Sequence, residues 1–181
     1  THTYLSDQEK ATLAQLRALL HEHAAPHVNT WWQDSSFPFE LLTTFAEGGW
    51  FQHPYEQTRP FKNSALFRGM IALELARVDA SLATFFGVHT GLAMGSVVLC
   101  GSEEQRCQLL PKMARGELIG CFALTEPDHG SDVARGLETT ARRYRDGWVL
   151  NGAKRWIGNA TFADLAVVWA KDEADGQVKG F

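Results

Sequence analysis

The 181 residues carry a formal net charge of −4, with 45 % hydrophobic and 21 % charged residues. This composition is typical of a soluble globular protein, and it excludes a disordered or collagen-like chain. Acidic residues outnumber basic ones in both halves, so the sequence has no basic footprint for a nucleic acid. Three cysteines without CxxC spacing argue against a disulfide framework or a zinc site and favour a reducing compartment (Cys100, Cys107 and Cys121).

The first two thirds of the chain predict helices. Ser6 and Glu9 form a capping box ahead of a helix with leucines on one face, which Pro26 ends. A second helix is predicted from a cap at Ser36 to the glycine pair at Gly48. The segment that follows, up to residue 60, is expected to be a loop.

Three further helices are predicted before residue 116. The segment "SALFRGMIALELARVD" has helical spacing, with Leu66, Met70 and Leu73 on the predicted buried face. Residues 80–102 contain no charged side chain, a length that could span a bilayer, but a helix buried in a soluble protein is the favoured interpretation. Glycines four apart in this helix would let another backbone approach closely (Gly87, Gly91 and Gly95).

A capping box also begins the last of these helices. Ser102 and Gln105 provide it, and Pro111 is expected to end the helix or to open a short one.

The pattern then changes after Gly116, where "LIGCFALT" and "LAVVWA" have the length and composition of buried strands. Turn dipeptides predict hairpins at Asp146-Gly147, Asn151-Gly152 and Asp175-Gly176.

The predicted fold is therefore α+β, with an all-α domain over residues 1–116 and an antiparallel β-barrel domain beginning at residue 117. About 65 residues is thin for an independent β-barrel. We expect the natural protein to continue beyond Phe181.

Several segments contain residue types found in metal, nucleophile or anion sites, but the residues around them do not support such a site. Pro26 interrupts the helix that would align the histidines of "HEHAAPH", and HExxH is absent, so surface histidines are favoured over a metal site. No GxSxG elbow accompanies Ser131, which argues against a serine nucleophile. GxGxxG and P-loop motifs are also absent. The basic residues near the predicted hairpin alternate between faces, so a solvated edge is favoured over an anion site (Arg142, Arg143, Arg145, Lys154 and Arg155).

The segment "CFALTEPDHGSD", residues 121–132, is less ordinary. Thr125 stops a strand, Pro127 removes a donor and Gly130 permits an unusual backbone angle. Such a turn can present several N–H groups with two hydroxyls, as an anion- or heterocycle-binding nest. An ordinary capped turn is the alternative, and the residues alone favour it.

This segment, followed about twenty residues later by "NGAKRWIGN", resembles the flavin-binding motif pair of the acyl-CoA dehydrogenases and their oxidase relatives. "LCGSEEQRCQLLPKMARGELIG" and "ELARVDAS" resemble the same family's helices. The resemblance covers residues 72–181. It implies a helical domain, a β-barrel and a C-terminal helical bundle that is missing here, with FAD between the barrel and the bundle, and a homodimer or homotetramer.

The resemblance also implies the site residues. Phe122, Ala123, Leu124, Thr125, Gly130 and Ser131 would line the flavin, with Leu124 and Thr125 at its pyrimidine edge. Trp156 would pack against the isoalloxazine ring, next to Ile157 and Gly158, and Ser131 would also reach the acyl-CoA. Glu126 and Asp132 are expected to fix the turn and to take no part in acid–base chemistry.

Two departures from the family pattern bear on function. Many dehydrogenases have threonine where this chain has Gly158, so only backbone contact with flavin N5 would remain; "RWIGN" and "ARVDAS" resemble the plant short-chain acyl-CoA oxidase branch. Glutaryl-CoA dehydrogenases place an arginine where this chain has Ala83, followed by Thr84. Because a buried carboxylate without a cation is costly, we expect these two residues to contact a monocarboxylic acyl chain.

The implied reaction transfers the β-hydrogen of a short- or medium-chain acyl-CoA to FAD while a base takes the α-proton, giving trans-2-enoyl-CoA. The family's base is a glutamate of the C-terminal bundle, so this chain alone is expected to be inactive.

The electron acceptor would be electron-transfer flavoprotein or O2, and neither a nucleic acid nor a membrane is an expected partner. The expected compartment is the cytoplasm in a bacterium, and the mitochondrion or peroxisome otherwise. A non-catalytic acyl-thioester-binding scaffold, or a flavin monooxygenase or nitroalkane oxidase of the same fold, remains an alternative.

Overall fold

A computed structural model describes residues 4–130 and 132–181. The N-terminal part is helical and the C-terminal part contains a five-stranded sheet. The helices of the first part, in chain order, are α1 (Asp7–His23), α2 (Val28–Gln33), α3 (Glu40–Glu47), a 3-10 turn (Trp50–Gln52), α4 (Ala65–Val78), α5 (Ala80–Phe86), a π-helix (Gly87–Ala93), α6 (Met94–Cys100) and α7 (Glu103–Ala114).

Both predicted capping boxes are confirmed. In α1 the Ser6 hydroxyl accepts from the N–H of Glu9, whose carboxylate accepts from the Ser6 N–H, and Ser102 and Gln105 do the same for α7. Glu9 also accepts from the N–H of Ser64 at 2.6 Å, which joins α1 to the start of α4. The side chain that caps one helix therefore also fixes its neighbour.

Three details of the predicted helices are wrong. Helix α3 begins after Phe39 without a side-chain cap, so Ser36 does not cap it. Leu73 is 47 % exposed, because α4 buries the face that carries Phe67 and Ile71. Pro111 neither ends nor begins a helix but lies inside α7. Proline has no N–H to donate to the carbonyl oxygen of Cys107, four residues earlier in the helix. Cys107 is exposed, so water can hydrogen-bond to this carbonyl oxygen instead.

Residues Ala80–Cys100 form 21 residues of helix, and their most apolar 18-residue window has a mean hydropathy of 1.6, so the segment is long and apolar enough to cross a membrane by length and composition. Half of the most apolar window is buried inside the protein, and the core helix of a globular protein passes the same test. The expected close backbone approach is not seen at Gly87 and Gly91, where a Cβ would meet nothing within 4 Å in the described part of the chain. Gly95 lies against the hydroxyl of Tyr55, which also donates to the carbonyl oxygen of Gly91 at 3.1 Å.

The second part contains β1 (Gly120–Ala123), a short helix α8 (Val133–Gly136), β2 (Thr140–Tyr144), β3 (Gly147–Asn151), β4 (Leu165–Asp172) and β5 (Val178–Gly180). Strand β4 is central: it pairs with β1 and β2 along one edge and with β5 along the other. The predicted boundary at Gly116 lies between the end of α7 and the start of β1.

The sheet is mixed, so the expectation of a purely antiparallel barrel is wrong for these residues. The β2–β3 and β4–β5 hairpins are antiparallel, as the turns at Asp146-Gly147 and Asp175-Gly176 predict. The pairs β1–β4 and β2–β4 are parallel. The predicted hairpin at Asn151-Gly152 is also wrong: Gly152 has φ +155° and a Cβ there would lie within 3 Å of Thr139, so this glycine permits a close crossing of the chain.

The two parts are joined through a buried histidine. His89, in the π-helix, accepts the N–H of Gly120 at Nδ1 (3.1 Å), and its Nε2 lies 3.0 Å from the carbonyl oxygen of Met113. These contacts require a neutral imidazole protonated on Nε2. Burial lowers the pKa of His89 to about 4, although the bond to Met113 acts to raise it. The helical part is thereby fixed to the first strand of the sheet.

Candidate functional site

Two loops cross at the C-terminal end of β1. The first, residues 124–130, continues from β1, and the second, residues 153–160, lies between β3 and β4. The N–H of Arg155 donates to the carbonyl oxygen of Thr125 at 2.9 Å. The ammonium of Lys154 donates to the carbonyl oxygen of Leu124, also at 2.9 Å. The two segments that the sequence singles out are therefore brought together by bonds between their backbones and one lysine.

Glu126 holds the first loop in shape. Its side chain is buried and accepts from Lys154 at 2.8 Å and from the N–H groups of Glu138 and Thr139 at 2.6 and 2.9 Å. Burial by itself would raise the pKa of this carboxyl, but these hydrogen bonds outweigh it and lower the pKa to about 2. A carboxylate so fully bonded fixes the turn, as expected from the sequence, and is a poor proton acceptor.

The rest of the first loop is closed locally. The N–H of Glu126 donates to the carbonyl oxygen of His129 at 3.2 Å, and the His129 ring lies 3.1 Å from the Glu138 carboxylate. Gly130 does not adopt a positive φ, so the predicted unusual backbone angle is wrong there. Ser131, predicted to contact both cofactor and substrate, lies outside the described residues.

Trp156 is the most unusual residue of the second loop. Its side chain is 80 % exposed and its φ is +60°, a region that non-glycine residues rarely adopt. The guanidinium of Arg155 lies 4.5 Å from the centre of its ring. A strained backbone that presents a large aromatic ring to solvent has no folding advantage, and such outliers gather at functional sites.

The residues after Trp156 are fixed to the helical part. Asn159, with φ +66°, donates its amide to the carbonyl oxygens of Phe85 and Gly120, both at 3.3 Å. Gly158 lies against Val88, where a Cβ would come within 3.0 Å of a methyl group. Ile157, which precedes Gly158, is half-buried. The loop is thus held against the junction of α5 and the π-helix.

An aromatic cluster anchors the end of this loop. Phe162 stacks on Phe37, with ring centres 5.8 Å apart, and meets Phe39 edge-to-face at 5.0 Å. Phe85 of α5 contacts both Phe37 and Phe162. The N-terminal region, α5 and the second loop therefore share one packed cluster.

The remaining residues predicted to bind the cofactor lie at the same end of β1. Ala123 is buried, while Phe122, Leu124 and Thr125 are half-buried, and the Phe122 ring lies 5.8 Å from that of Trp169. The structure thus brings Phe122–Thr125 and Trp156–Gly158 to one region. This placement is consistent with a shared site.

The predicted substrate residues lie on α5. Ala83 lines a cavity of about 340 Å³ between α4, α5 and the π-helix, whose wall also includes Gly87 and Gly91. Thr84 is exposed, and its hydroxyl donates to the carbonyl oxygen of Ala80 at 2.8 Å. Arg68 also lines this cavity.

Comparison with known proteins identifies the family. The acyl-CoA dehydrogenase N-terminal domain matches residues 6–117, and the acyl-CoA dehydrogenase middle domain matches residues 121–181. The chain belongs to the acyl-CoA dehydrogenase family. The resemblance drawn from the two loop motifs is confirmed.

Relatives and solved structures agree with this family. The chain is 43 % identical over 111 residues to the mouse mitochondrial short-chain specific acyl-CoA dehydrogenase, covering 61 % of this chain and 27 % of the relative. It is 32 % identical over 174 residues to bovine mitochondrial isovaleryl-CoA dehydrogenase, covering 93 % of this chain and 40 % of that protein. Glutaryl-CoA dehydrogenase from Mycobacterium smegmatis superposes with a TM-score of 0.89 at 39 % identity, over 99 % of this chain and 46 % of that one. The chain thus spans less than half the length of these acyl-CoA dehydrogenases.

Sequence reasoning missed several residues of the site. Lys154 was assigned to a solvated edge, yet its side chain is 11 % exposed and joins the two loops. Residue type does not predict the positive φ of Trp156. Asparagine tolerates a positive φ, so the residue type of Asn159 gives a weak indication of it. Arg68 lies on a helix whose buried face does not include it, so only the fold shows that it lines the cavity beside Ala83.

Proposed function

We propose that the complete protein is an FAD-dependent oxidoreductase that converts a short- or medium-chain monocarboxylic acyl-CoA to the trans-2-enoyl-CoA. The proposal depends above all on Trp156, an exposed aromatic residue with a strained backbone that directly follows Arg155, whose N–H donates to the carbonyl oxygen of Thr125. One related structure, a Mycobacterium smegmatis glutaryl-CoA dehydrogenase, is described in complex with FADH2 and aligns with a TM-score of 0.90 at 37 % identity.

The residues at the loop crossing fit a flavin. An exposed indole offers a flat apolar face to a planar ring. The N–H and hydroxyl of Thr125, with the N–H of Leu124, offer donors to its pyrimidine edge. Bound FAD would supply the acceptor for two electrons and one proton. The role of this chain is to hold and orient the ring and to stabilise the negative charge that it gains on reduction.

The substrate proposal depends on the wall that α5 provides. Ala83 and Thr84 offer no charge to a distal carboxylate. Arg68 is the cation beside Ala83, and its guanidinium donates to the Asn63 side-chain oxygen at 3.0 Å. Because this guanidinium already has a fixed acceptor, we favour an acyl chain without a second carboxylate.

The base and the electron acceptor are further parts of the proposal. Glu126 is held ionised by its hydrogen bonds, and the Glu138 carboxylate faces His129, so neither is assigned as the base. We infer that the base lies outside these 181 residues and that they do not turn over acyl-CoA alone. Gly158 offers no hydroxyl, which favours a relative of the oxidases. Either electron-transfer flavoprotein or O2 would reoxidise the enzyme. We propose that the complete protein is a homodimer or homotetramer.

Anaerobic visible spectroscopy of the full-length protein tests the proposal. We expect flavin absorption that bleaches when butyryl-CoA is added, with crotonyl-CoA as product. A protein without flavin would instead be a non-catalytic acyl-thioester-binding scaffold. Bleaching only by reduced nicotinamide would indicate a monooxygenase, and bleaching by a nitroalkane a nitroalkane oxidase. Any of these three results would contradict the proposal.

A further inference from the structure

Lys154 makes a second contact between the two loops, in addition to the backbone bond from Arg155 to Thr125. Its ammonium lies between the Glu126 carboxylate, at 2.8 Å, and the carbonyl oxygen of Leu124, at 2.9 Å. The Glu126 side chain is buried, at 3 % exposure, and the Lys154 side chain is largely covered, at 11 %. The bond between Arg155 and Thr125 already joins the loops, and Asn159 fixes the second loop to α5. The bond from a largely covered cation to a neutral backbone carbonyl is therefore additional.

The carbonyl of Leu124 and the N–H of Thr125 belong to the same amide group. A cation that binds the oxygen of an amide withdraws electron density and makes its N–H a stronger donor, because hydrogen bonds in a chain polarise one another. The low exposure of Lys154 strengthens this effect, since water screens it little. Among residues 4–130 and 132–181, no acceptor receives the Thr125 N–H.

We propose that Lys154 is a positioning and tuning residue that raises the reduction potential of the flavin by polarising the Leu124–Thr125 amide. This inference rests on the proposed function, in which the Thr125 N–H faces the pyrimidine edge. A bound flavin would carry more negative charge at that edge once reduced by two electrons and a proton, and the Thr125 N–H would face that charge. A stronger donor therefore binds the reduced form more tightly than the oxidised form.

Because Glu126 balances the charge of Lys154, changing both residues distinguishes polarisation of the amide from the field of an unbalanced charge. Lys154 and Glu126 together are neutral, so the pair has little net field at a distance. What remains is the direct bond to the Leu124 oxygen. Removing Lys154 alone would both lose that bond and leave the Glu126 charge unbalanced. Removing both charges loses the bond and leaves no charge unbalanced, while Glu126→Gln keeps one of the two oxygens that accept from the N–H groups of Glu138 and Thr139.

The test compares midpoint potentials of the FAD-loaded full-length protein in three variants: Lys154→Met, Lys154→Met with Glu126→Gln, and Lys154→Arg. We expect both methionine variants to lose about tenfold in preference for reduced over oxidised flavin, a fall of about 30 mV for a two-electron couple. Lys154→Arg keeps a cation and should keep the wild-type potential. The double variant buries no lone charge, so it preserves the test if Lys154→Met does not fold.

Three results would overturn the inference. A potential that falls in Lys154→Met but returns to the wild-type value in the double variant would assign the effect to the Glu126 charge. Unchanged potentials in all variants would leave Lys154 purely structural, while the wild-type flavin would still support the proposed function. Wild-type protein that binds no FAD would refute both. As a second readout, a flavin carbonyl stretch in infrared difference spectra should move to higher frequency in the double variant, because its hydrogen bond is weaker.

Discussion

Arg155 donates its backbone N–H to the carbonyl oxygen of Thr125 at 2.9 Å, and this bond joins two segments that are thirty residues apart in the chain. Thr125 lies two residues after the end of β1, and Trp156 follows Arg155 directly. The bond therefore fixes the backbone next to the exposed indole to a threonine with donor groups. The proposed flavin site depends on this arrangement more than on any other contact.

Replacing Trp156 should weaken FAD binding without lowering the stability of the folded protein. Trp156→Gly removes the ring and relieves the positive φ of +60°, so the fold should be unchanged or stabilised by up to about 1 kcal/mol. Flavin affinity should fall about tenfold with the loss of aromatic contact. Thermal unfolding of the flavin-free protein and FAD titration measure the two effects.

Tyr4→Ala provides the matched control for this variant. Tyr4 is 83 % exposed, close to the 80 % of Trp156, but lies at the other end of the chain. It should change neither quantity. Equal FAD affinity in Trp156→Gly and wild type would contradict the assigned role of the indole.

Stability should fall as the pH is lowered from about 6.5 to 4. Burial lowers the pKa of His89 and of His53 from 6.5 to about 4. The unfolded chain binds protons at these sites before the folded protein does, so stability is full above 6.5 and is lost toward 4. A shift of this size is worth roughly 3 kcal/mol for His89, which is fully buried.

A second loss should follow at lower pH. The pKa of Glu126 is lowered from 4.5 to about 2, so its contribution is present above 4.5 and disappears toward 2. Urea unfolding at intervals from pH 7 to 4 tests the histidine range, with His53→Leu as the comparison. The Nδ1 of His53 is buried without a hydrogen-bond partner among the described residues, so this variant should flatten the slope. An identical slope in the variant would refute the assignment.

Gly158 and Val88 should behave as a coupled pair. A Cβ at Gly158 would lie 3.0 Å from a Val88 methyl group, so Gly158→Ala should cost on the order of 1 kcal/mol by overpacking. Adding Val88→Ala removes that methyl group and should recover most of the loss. The double-mutant cycle is measured by urea unfolding. Additive effects of the two substitutions would show that Gly158 does not lie against Val88.

The acyl preference can be tested at Arg68. With wild-type full-length enzyme, kcat/KM for butyryl-CoA should exceed that for glutaryl-CoA. Arg68→Met should leave the butyryl-CoA value within about twofold, because the guanidinium has Asn63 as its acceptor. A clear preference for glutaryl-CoA that disappears in Arg68→Met would show that Arg68 holds a distal carboxylate and would refute the monocarboxylic proposal.

Local signals in the sequence predict much of the fold. The capping boxes at Ser6 and Ser102 fix the starts of α1 and α7, because each depends only on residues three apart. The hairpin turns at Asp146-Gly147 and Asp175-Gly176 likewise fix antiparallel neighbours. The motif pair around Thr125 and Trp156 identifies the family without the structure.

Properties that depend on distant contacts are not predictable in this way. The parallel pairing of β4 with β1 and β2 joins strands far apart in the chain, so no turn signals it. Lys154 looks like one cation among several near a hairpin, and only the fold shows that it reaches Leu124 and Glu126. Asn151-Gly152 has the composition of a turn, but Gly152 is needed for the approach of Thr139.

Hydrogen–deuterium exchange of the full-length protein, with and without FAD, tests the central claim most directly. We predict that FAD slows exchange in peptides that cover residues 121–130 and 153–160, and leaves α1 unchanged. Protection confined to other regions, with both loops exchanging equally in the two states, would contradict the assignment of the flavin to the crossing of these loops.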